Sequence, residues 1–376
     1  MTEPIRLLIF QNSVVRAGVE EVVLALANGL HSHGFEVHLA IPQQLIEKFG
    51  SDLKLPVTQQ LSVHIVGFLQ FSEIRRLQNY LRERRIQIVN SHLFYATLFA
   101  APVARLSGVK AVVETTHGPE AWRTSWLKRR YWIDRVVELL VTRNLAVSEA
   151  NRAYLCDVKR YPRHKVAVVP NGRDLDSYRT PEFAVEEVRS HWNLQGVDSI
   201  LVCPGRLEPQ KGHEFLIEAM GVVAKDFPST RLLVVGEGSL RTALEQRVVQ
   251  LGLQKHVVFV GFQANIAAYY GVAEIVVLPS LFEGMPLVAI EAGAAARPIV
   301  ASRVDGTGEV VIDGETGLLT HPAQSQALAA AIGALLKDKA RARDMGAAAR
   351  RHVELNFSLD RQISDTAALL RGALKE

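Results

Sequence analysis

The sequence predicts an α/β protein built from two doubly wound parallel sheets, and three observations predict it. Short runs rich in Val, Ile and Leu recur along the 376 residues, amphipathic helical stretches separate them, and a turn cluster at Pro170-Asn171-Gly172 divides the series in two. Apolar runs that do not alternate with polar residues suit strands buried on both faces, the condition of a parallel sheet covered by helices. In the first half these runs are Ile5–Phe10, Glu36–Ile41, Ile88–Ser91, Ala111–Thr115, Leu145–Val147 and Val166–Val169. In the second they are Ile200–Cys203, Leu232–Val235, Val257–Val260, Ile275–Leu278 and Ile299–Ala301. Helical patterns such as Glu20–His33 and Gly212–Asp226 lie between them, so the order is a repeated βαβ. The polar segment Arg173–Pro181 follows the turn cluster, which gives an N-terminal domain of residues 1–172 and a C-terminal domain of residues 173–357. The stretch Phe357–Leu374 is helical in pattern with no strand after it; this closing helix, residues 358–376, is expected to pack onto the first domain, a placement not readable from spacing.

Apolar residues make up 48% of the chain and charged residues 22%, enough apolar material for two cores and too much for a disordered chain. Cys156 and Cys203 stand far apart without a Cys-x-x-Cys partner, which argues against a disulfide framework and a thiolate metal site. The N-terminal run is too short for a signal-peptide core, and no stretch approaches the roughly 18 apolar residues of a membrane span. The expectation is a cytoplasmic protein. The net charge of +4 is uneven: residues 1–172 carry 22 Lys and Arg against 14 Asp and Glu, and residues 173–376 carry 21 against 25. An excess of positive charge in the first half suggests an anionic partner, a membrane surface or an acidic acceptor, or else a merely solvated basic surface. Nucleic acid is disfavoured, because no aromatic-rich RNP-like strand or zinc-finger spacing accompanies the charge. The stretch Trp122–Trp132 interleaves aromatics with Arg123, Lys128, Arg129 and Arg130. It suits the inner face of a membrane, and equally an amphipathic helix half packed on a core.

Two segments of the second half carry chemistry. Gly205-Arg206-Leu207-Glu208-Pro209-Gln210-Lys211-Gly212 follows the strand Ile200–Cys203 and opens a helix. Its glycines permit close backbone approach, Arg206 offers a planar fork and Lys211 a point charge, and a helix start adds positive potential; a diphosphate needs these groups. The order of a Walker loop is missing, and the first strand is not followed by Gly-x-Gly-x-x-Gly, which disfavours a dehydrogenase. The second segment, Glu283-Gly284-Met285-Pro286-Leu287-Val288-Ala289-Ile290-Glu291, follows the strand Ile275–Leu278. Its carboxylates are separated by roughly 80° around a helix and therefore face different groups. Each can accept hydrogen bonds from vicinal hydroxyls, and the loop amides can bind a phosphate or a hexose.

In this order and spacing the two segments resemble the motifs of the retaining GT-B glycosyltransferases of family 4, the glycosyl transferases group 1. Val169-Pro170-Asn171-Gly172-Arg173-Asp174 is similar to that family's interdomain linker, and Glu309-x4-Gly314-x2-Gly317 to its turn after the donor loop. The resemblance implies two Rossmann-like domains facing each other across a cleft that closes about Asn171–Asp174, the N-terminal one taking the acceptor and the C-terminal one the donor. It implies that Arg206 and Lys211 bind the donor diphosphate and compensate its charge. Glu283 would contact the transferred sugar, Gly205, Gly284, Met285, Leu287 and Val288 would line the donor site, and Glu291 would hold the ribose. Ala17-Gly18-Val19-Glu20 stands where the family has a Gly-Gly-x-Glu loop against the diphosphate, with alanine in place of the first glycine. His117, after the strand Ala111–Thr115, matches the histidine that lines the reacting centre from the acceptor side, where Glu20 is also placed. Arg206, Lys211, Glu283 and His117 form the implied catalytic set, with no metal and no cofactor beyond the nucleotide-sugar donor.

The implied reaction is the retaining transfer of a hexose or N-acetylhexosamine to a glycan, glycolipid or lipid-linked acceptor in cell-surface polysaccharide or lipopolysaccharide synthesis. The alternatives are a sugar-nucleotide epimerase of the same fold, which needs its own carboxylate and histidine set, and a binding subunit that has lost transfer.

Overall fold

The computed structural model describes residues 3–67, 69–119 and 131–376, which form two compact units, Met1–Asn171 with Leu359–Glu376, and Gly172–Ser358. The first unit holds β1 (Ile5–Phe10), β2 (Phe35–Ile41), β3 (Gln60–Ser62), β4 (Ile88–His92), β5 (Ala111–Thr116), β6 (Arg143–Ala146) and β7 (Val166–Val168). Their order across the sheet is β3-β2-β1-β4-β5-β6-β7, every pair parallel. The chain winds outward from β1 to β3, returns to β4 and winds outward the other way. The switch point of a doubly wound sheet therefore lies between β1 and β4, where helices leave in opposite directions and expose the carboxyl ends of the strands. Phe10 pairs with Ser91 and His92 with Thr115, so β1, β4 and β5 end at nearly the same level.

Burial explains why these runs become strands. Leu7, Leu8, Ile9 and Phe10 are consecutive and all fully buried, so both faces of β1 are covered. One face packs with Val89 and Val112 against Phe94, Phe99 and Ala100 of the helix Phe94–Leu106. Truncating Phe10 in such a setting costs about 3–5 kcal/mol. The closing helix Leu359–Ala373 packs on this unit against the helix Gly18–Gly29, and a Cβ at Gly29 would lie 2.3 Å from Ile363 Cδ1. A larger residue there would have to displace the end of the Ile363 side chain.

The second unit holds β8 (Ser199–Pro204), β9 (Thr230–Val235), β10 (Val257–Gly261), β11 (Ile275–Leu278), β12 (Ile299–Ser302) and β13 (Gly317–Thr320). Their order is β10-β9-β8-β11-β12-β13, again parallel throughout, with the switch point between β8 and β11. Leu201, Cys203, Leu232, Val234 and Ile275 pack with Leu216 and Met220 of the helix His213–Asp226 and Ile332 of the helix Ser325–Lys337.

All the apolar runs named from the sequence overlap strands, and β3 and β13 are additional. Both are sheet edges, where one neighbour and partial exposure remove the need for an apolar run; no residue of β3 is buried, and in β13 only Gly317 is. Of the aromatic and basic stretch, residues 122–130 lie outside the described residues. Beyond it, the helix Trp132–Glu138 and the residue after it leave Trp132, Ile133, Val136 and Leu139 exposed. No helix among the described residues is long and apolar enough to cross a membrane.

Candidate functional site

In the second unit the polar residues collect where β8 and β11 end. Gly205, at φ +151°, turns the chain out of β8, and the aliphatic stem of Lys211 lies over it. Gly212, at φ +62°, sits so close to the end of β11 that a Cβ would lie 2.2 Å from the Pro279 carbonyl oxygen. Any other residue would push the two loops apart. They are also tied directly: the Leu281 amide donates to Gln210 O at 2.8 Å and Gln210 Nε2 donates to Phe282 O at 3.0 Å.

This knitting brings Lys211 Nζ to 2.5 Å from Glu283 Oε1, and Ser280 Oγ donates to the same oxygen at 2.7 Å. The Glu283 amide donates to Asp305 Oδ2 at 2.8 Å, from the loop after β12, and burial pushes the Asp305 carboxyl up. Glu283 is only 7% exposed, yet its Oε2 has no hydrogen-bond partner among the described residues. One carboxylate oxygen is thus fixed by the protein, and the other is left to accept from a ligand hydroxyl. The Arg206 residue is exposed and its side chain makes no hydrogen bond or ion pair among the described residues. The nearby Glu208 is engaged by the Ser239 amide and hydroxyl, at 3.0 and 2.8 Å, which hold its carboxyl below the usual range.

Glu291, on the helix Leu287–Ala294, faces other groups. Its Oε1 takes Arg173 Nε and Nη2 at 2.9 and 2.7 Å, and its Oε2 accepts from the Tyr270 hydroxyl at 2.8 Å. Burial and this carboxylate push the Tyr270 phenol well above its usual range. Among these contacts three of the four lone-pair positions of Glu291 are used and one on Oε2 remains. Gly284 and Val288 are half-buried at the start of this helix, while Met285 and Leu287 turn their side chains inward and offer only backbone to a ligand. Sequence reasoning passed over Ser280, Asp305 and Tyr270, single polar residues in no recognisable spacing. It also passed over the triplet Asp174-Leu175-Asp176. Asp174 accepts from the Ser177 hydroxyl at 2.6 Å, and Asp176 pairs with Arg179 and Arg350 at 3.1 and 3.5 Å, so both are engaged within the unit.

The first unit has a different chemistry at the same topological place. After β1, exposed Gly18 opens the helix Gly18–Gly29, and Glu20 folds back beneath it. Glu20 Oε2 accepts from the Ala17 amide at 3.1 Å and Oε1 from Gln11 Nε2 at 3.1 Å. Buried in this position, its carboxyl is pushed up, and the side chain satisfies an otherwise orphaned helix-start amide. Ala17 sits at φ −148°, an extended conformation that does not demand glycine. His117 follows β5, with its Nε2 2.9 Å from Nδ1 of His92, the ring planes 21° apart and the centroids separated by 5.2 Å. Desolvation pushes His117 down to about 4. His92 stands one residue past the apolar run Ile88–Ser91, where nothing in the spacing marked it.

Two doubly wound parallel sheets, each with its polar residues gathered at the switch point, define the GT-B class, and solved structures of that class share the whole architecture. A glycosyltransferase from Rickettsia africae superposes with a TM-score of 0.86 at 19% identity, covering 100% of both chains. The Anabaena protein HepE in complex with UDP-glucose superposes at 0.85 with 20% identity, covering 98% of this chain and 99% of that one. Residues 185–352 match the model of the glycosyl transferases group 1, and residues 16–177 that of Glycosyltransferase Family 4. A GDP-mannose-dependent alpha-(1-6)-phosphatidylinositol monomannoside mannosyltransferase of Mycolicibacterium smegmatis is 30% identical over 317 residues, 79% of each chain. A UDP-Gal:alpha-D-GlcNAc-diphosphoundecaprenol alpha-1,3-galactosyltransferase of Escherichia coli is 24% identical over 81% of this chain and 80% of that one. On these grounds the chain belongs to the family 4 glycosyltransferases.

Proposed function

We propose that the protein transfers a hexose, with retention of anomeric configuration, from a nucleotide-diphosphate sugar to a lipid-linked acceptor. The observation that carries this reading is the loop after β8. It presents Arg206 as an exposed cation with no side-chain partner among the described residues, in the same loop as Lys211, whose own partner Glu283 keeps one oxygen open. A diphosphate supplies the counter-charge for both cations, and the open oxygen of Glu283 accepts from a hydroxyl of the sugar attached to it. In the transfer the bond from the anomeric carbon to the diphosphate oxygen breaks while the acceptor oxygen bonds to the same face. The acceptor proton passes to the departing diphosphate. Negative charge accumulates on that leaving group, and preorganised cations stabilise it more in the transition state than in the bound donor. Arg206 and Lys211 thereby do what a metal does elsewhere, and the reaction proceeds without one.

The second unit takes the donor in this account, with Glu291 accepting from a ribose hydroxyl through its remaining lone pair. The first unit takes the acceptor, and His117 lines the reacting centre. The substrates of the mannosyl- and galactosyltransferase relatives, a phosphatidylinositol glycoside and an undecaprenyl diphosphate glycoside, favour an acceptor carried on lipid. The exposed Trp132, Ile133, Val136 and Leu139 on a unit with excess positive charge favour peripheral contact with an anionic membrane during synthesis of a surface glycan. The test is a thermal-shift screen against UDP-, GDP-, ADP- and dTDP-sugars, followed by product analysis with the stabilising donor. One class of nucleotide sugar should raise the melting temperature and yield a product of unchanged anomeric configuration. No stabilisation by any of them, or an inverted product, defeats the proposal.

A further inference from the structure

The carboxyl ends of β4 and β5 carry a chain of hydrogen bonds in which each proton position is forced by the one before it. Asn90 is fully buried, and its Nδ2 lies 3.2 Å from the Val113 carbonyl, a group that can only accept, and 2.9 Å from Thr115 Oγ1. The amide nitrogen must face this side, so Oδ1 faces the other way, 3.2 Å from Nε2 of His92. His92 is also fully buried, and its Nε2 must therefore carry a proton. Reversing it would set two lone pairs against each other out of reach of water, which disfavours that tautomer by roughly tenfold or more. Burial pushes His92 well down, so a single proton is present and its Nδ1 is a bare acceptor. That acceptor lies 2.9 Å from His117 Nε2, which must then be the donor.

We infer that His92 is a positioning residue that fixes His117 in the Nε2–H tautomer, so that His117 offers an unprotonated Nδ1 to substrate. Nδ1 of His117 has no partner among the described residues, and the side chain is half-buried, so this lone pair is the ring's available polar group. It accepts a hydrogen bond from a sugar hydroxyl and cannot donate a proton to a leaving oxygen. A site with an oriented acceptor of this kind, once a substrate excludes water from it, rejects sugars that lack the matching hydroxyl, because the acceptor is then left unsatisfied. The inference rests on the reading that His117 lines the reacting centre, while the tautomer itself is independent of that reading.

The experiment combines nitrogen-15 spectroscopy of the imidazoles with kinetics of three variants. In the unaltered protein, couplings from the ring protons should place the His117 proton on Nε2; finding it on Nδ1 overturns the inference whatever the variants do. His92→Phe keeps a flat ring at this position and removes the acceptor. It should shift His117 towards the Nδ1–H form and lower kcat roughly tenfold to a hundredfold with a much smaller change in donor KM. His92→Gln restores an oxygen acceptor and should recover the Nε2–H tautomer and most of the rate. Unchanged tautomer and kcat in His92→Phe would overturn the inference. A normal kcat in His117→Ala with the tautomer confirmed would instead remove the placement of His117 at the reaction and, with it, the functional role given to His92.

Discussion

The two units have the same winding and gather polar residues at the same topological place, but they furnish it with opposite chemistry. In the second unit the loops after β8 and β11 hold charges: Lys211 against Glu283, Arg173 against Glu291, and Arg206 left over. In the first, the ends of β1, β4 and β5 hold amides, two neutral imidazoles and a carboxyl whose pKa burial has raised. The difference teaches that the doubly wound sheet supplies only a location, and that loop residues decide whether the location suits a diphosphate or a set of hydroxyls. Fixed cations serve a ligand whose charge grows during reaction. Neutral, oriented lone pairs serve hydroxyls, which a charged group in the same place would bind with less discrimination.

The comparison breaks most visibly if the cations of the second unit are dispensable. Arg206→Ala should lower kcat by about 10²–10³-fold with little change in acceptor KM, as expected when a preorganised charge is removed from a leaving group. Steady-state kinetics measure it, and a near-normal kcat removes the charge argument. Because Arg206 is unpaired and exposed, the same variant should unfold at an unchanged urea midpoint. Glu291→Ala should behave differently, since it removes the carboxylate that Arg173 and the fully buried Tyr270 hydroxyl both engage. A loss of about 3 kcal/mol in unfolding free energy is expected, read from urea denaturation. A loss of nucleotide affinity without loss of stability would show instead that the ion pair is subordinate to ribose binding.

Acid sharpens the contrast from the neutral side. His117 and His213 are both pushed down to about 4 by burial, with the charge of Lys211 adding to the effect at His213. Unfolded, each returns to the ordinary value near 6.5, so between about 6.5 and 4 the unfolded chain binds more protons. Their contribution to stability is therefore present above about pH 6.5 and is lost as the pH falls towards 4. Urea midpoints measured across that window should fall with pH, and His213→Gln should flatten the slope; an unchanged slope contradicts the assignment. The smallest effect belongs to Ala17→Gly. The extended backbone there does not need glycine, so turnover should change by less than about threefold and stability by a few tenths of a kcal/mol.

How much of this was legible in the sequence follows the same division. Runs such as Ile5–Phe10 and Ile275–Leu278 announce strands because a parallel sheet must be apolar on both faces, and the edges β3 and β13 escape notice because they are free of that demand. Lys211 and Glu283 could be named because their two segments, in this order and spacing, resemble the motifs of the family. That they pair with each other could not be read, since it depends on Gly212 seating one loop against Pro279. Glu20 shows what spacing leaves out: its place in the chain matched a ligand loop, and its two oxygens each accept a hydrogen bond from within the unit, from Ala17 and Gln11. His92 and Asn90 carried no signal at all, because alternate residues of one strand acquire meaning only when the neighbouring strand supplies Val113 and His117.

The central claim is that the loop after β8 recognises a diphosphate by charge. Calorimetric titration of UDP, GDP and the corresponding monophosphates into the unaltered protein and into Arg206→Ala tests it most directly. The account predicts that the diphosphate matching the donor binds at least tenfold more weakly to the variant while its monophosphate changes little. Equal diphosphate affinity in the two proteins would contradict it.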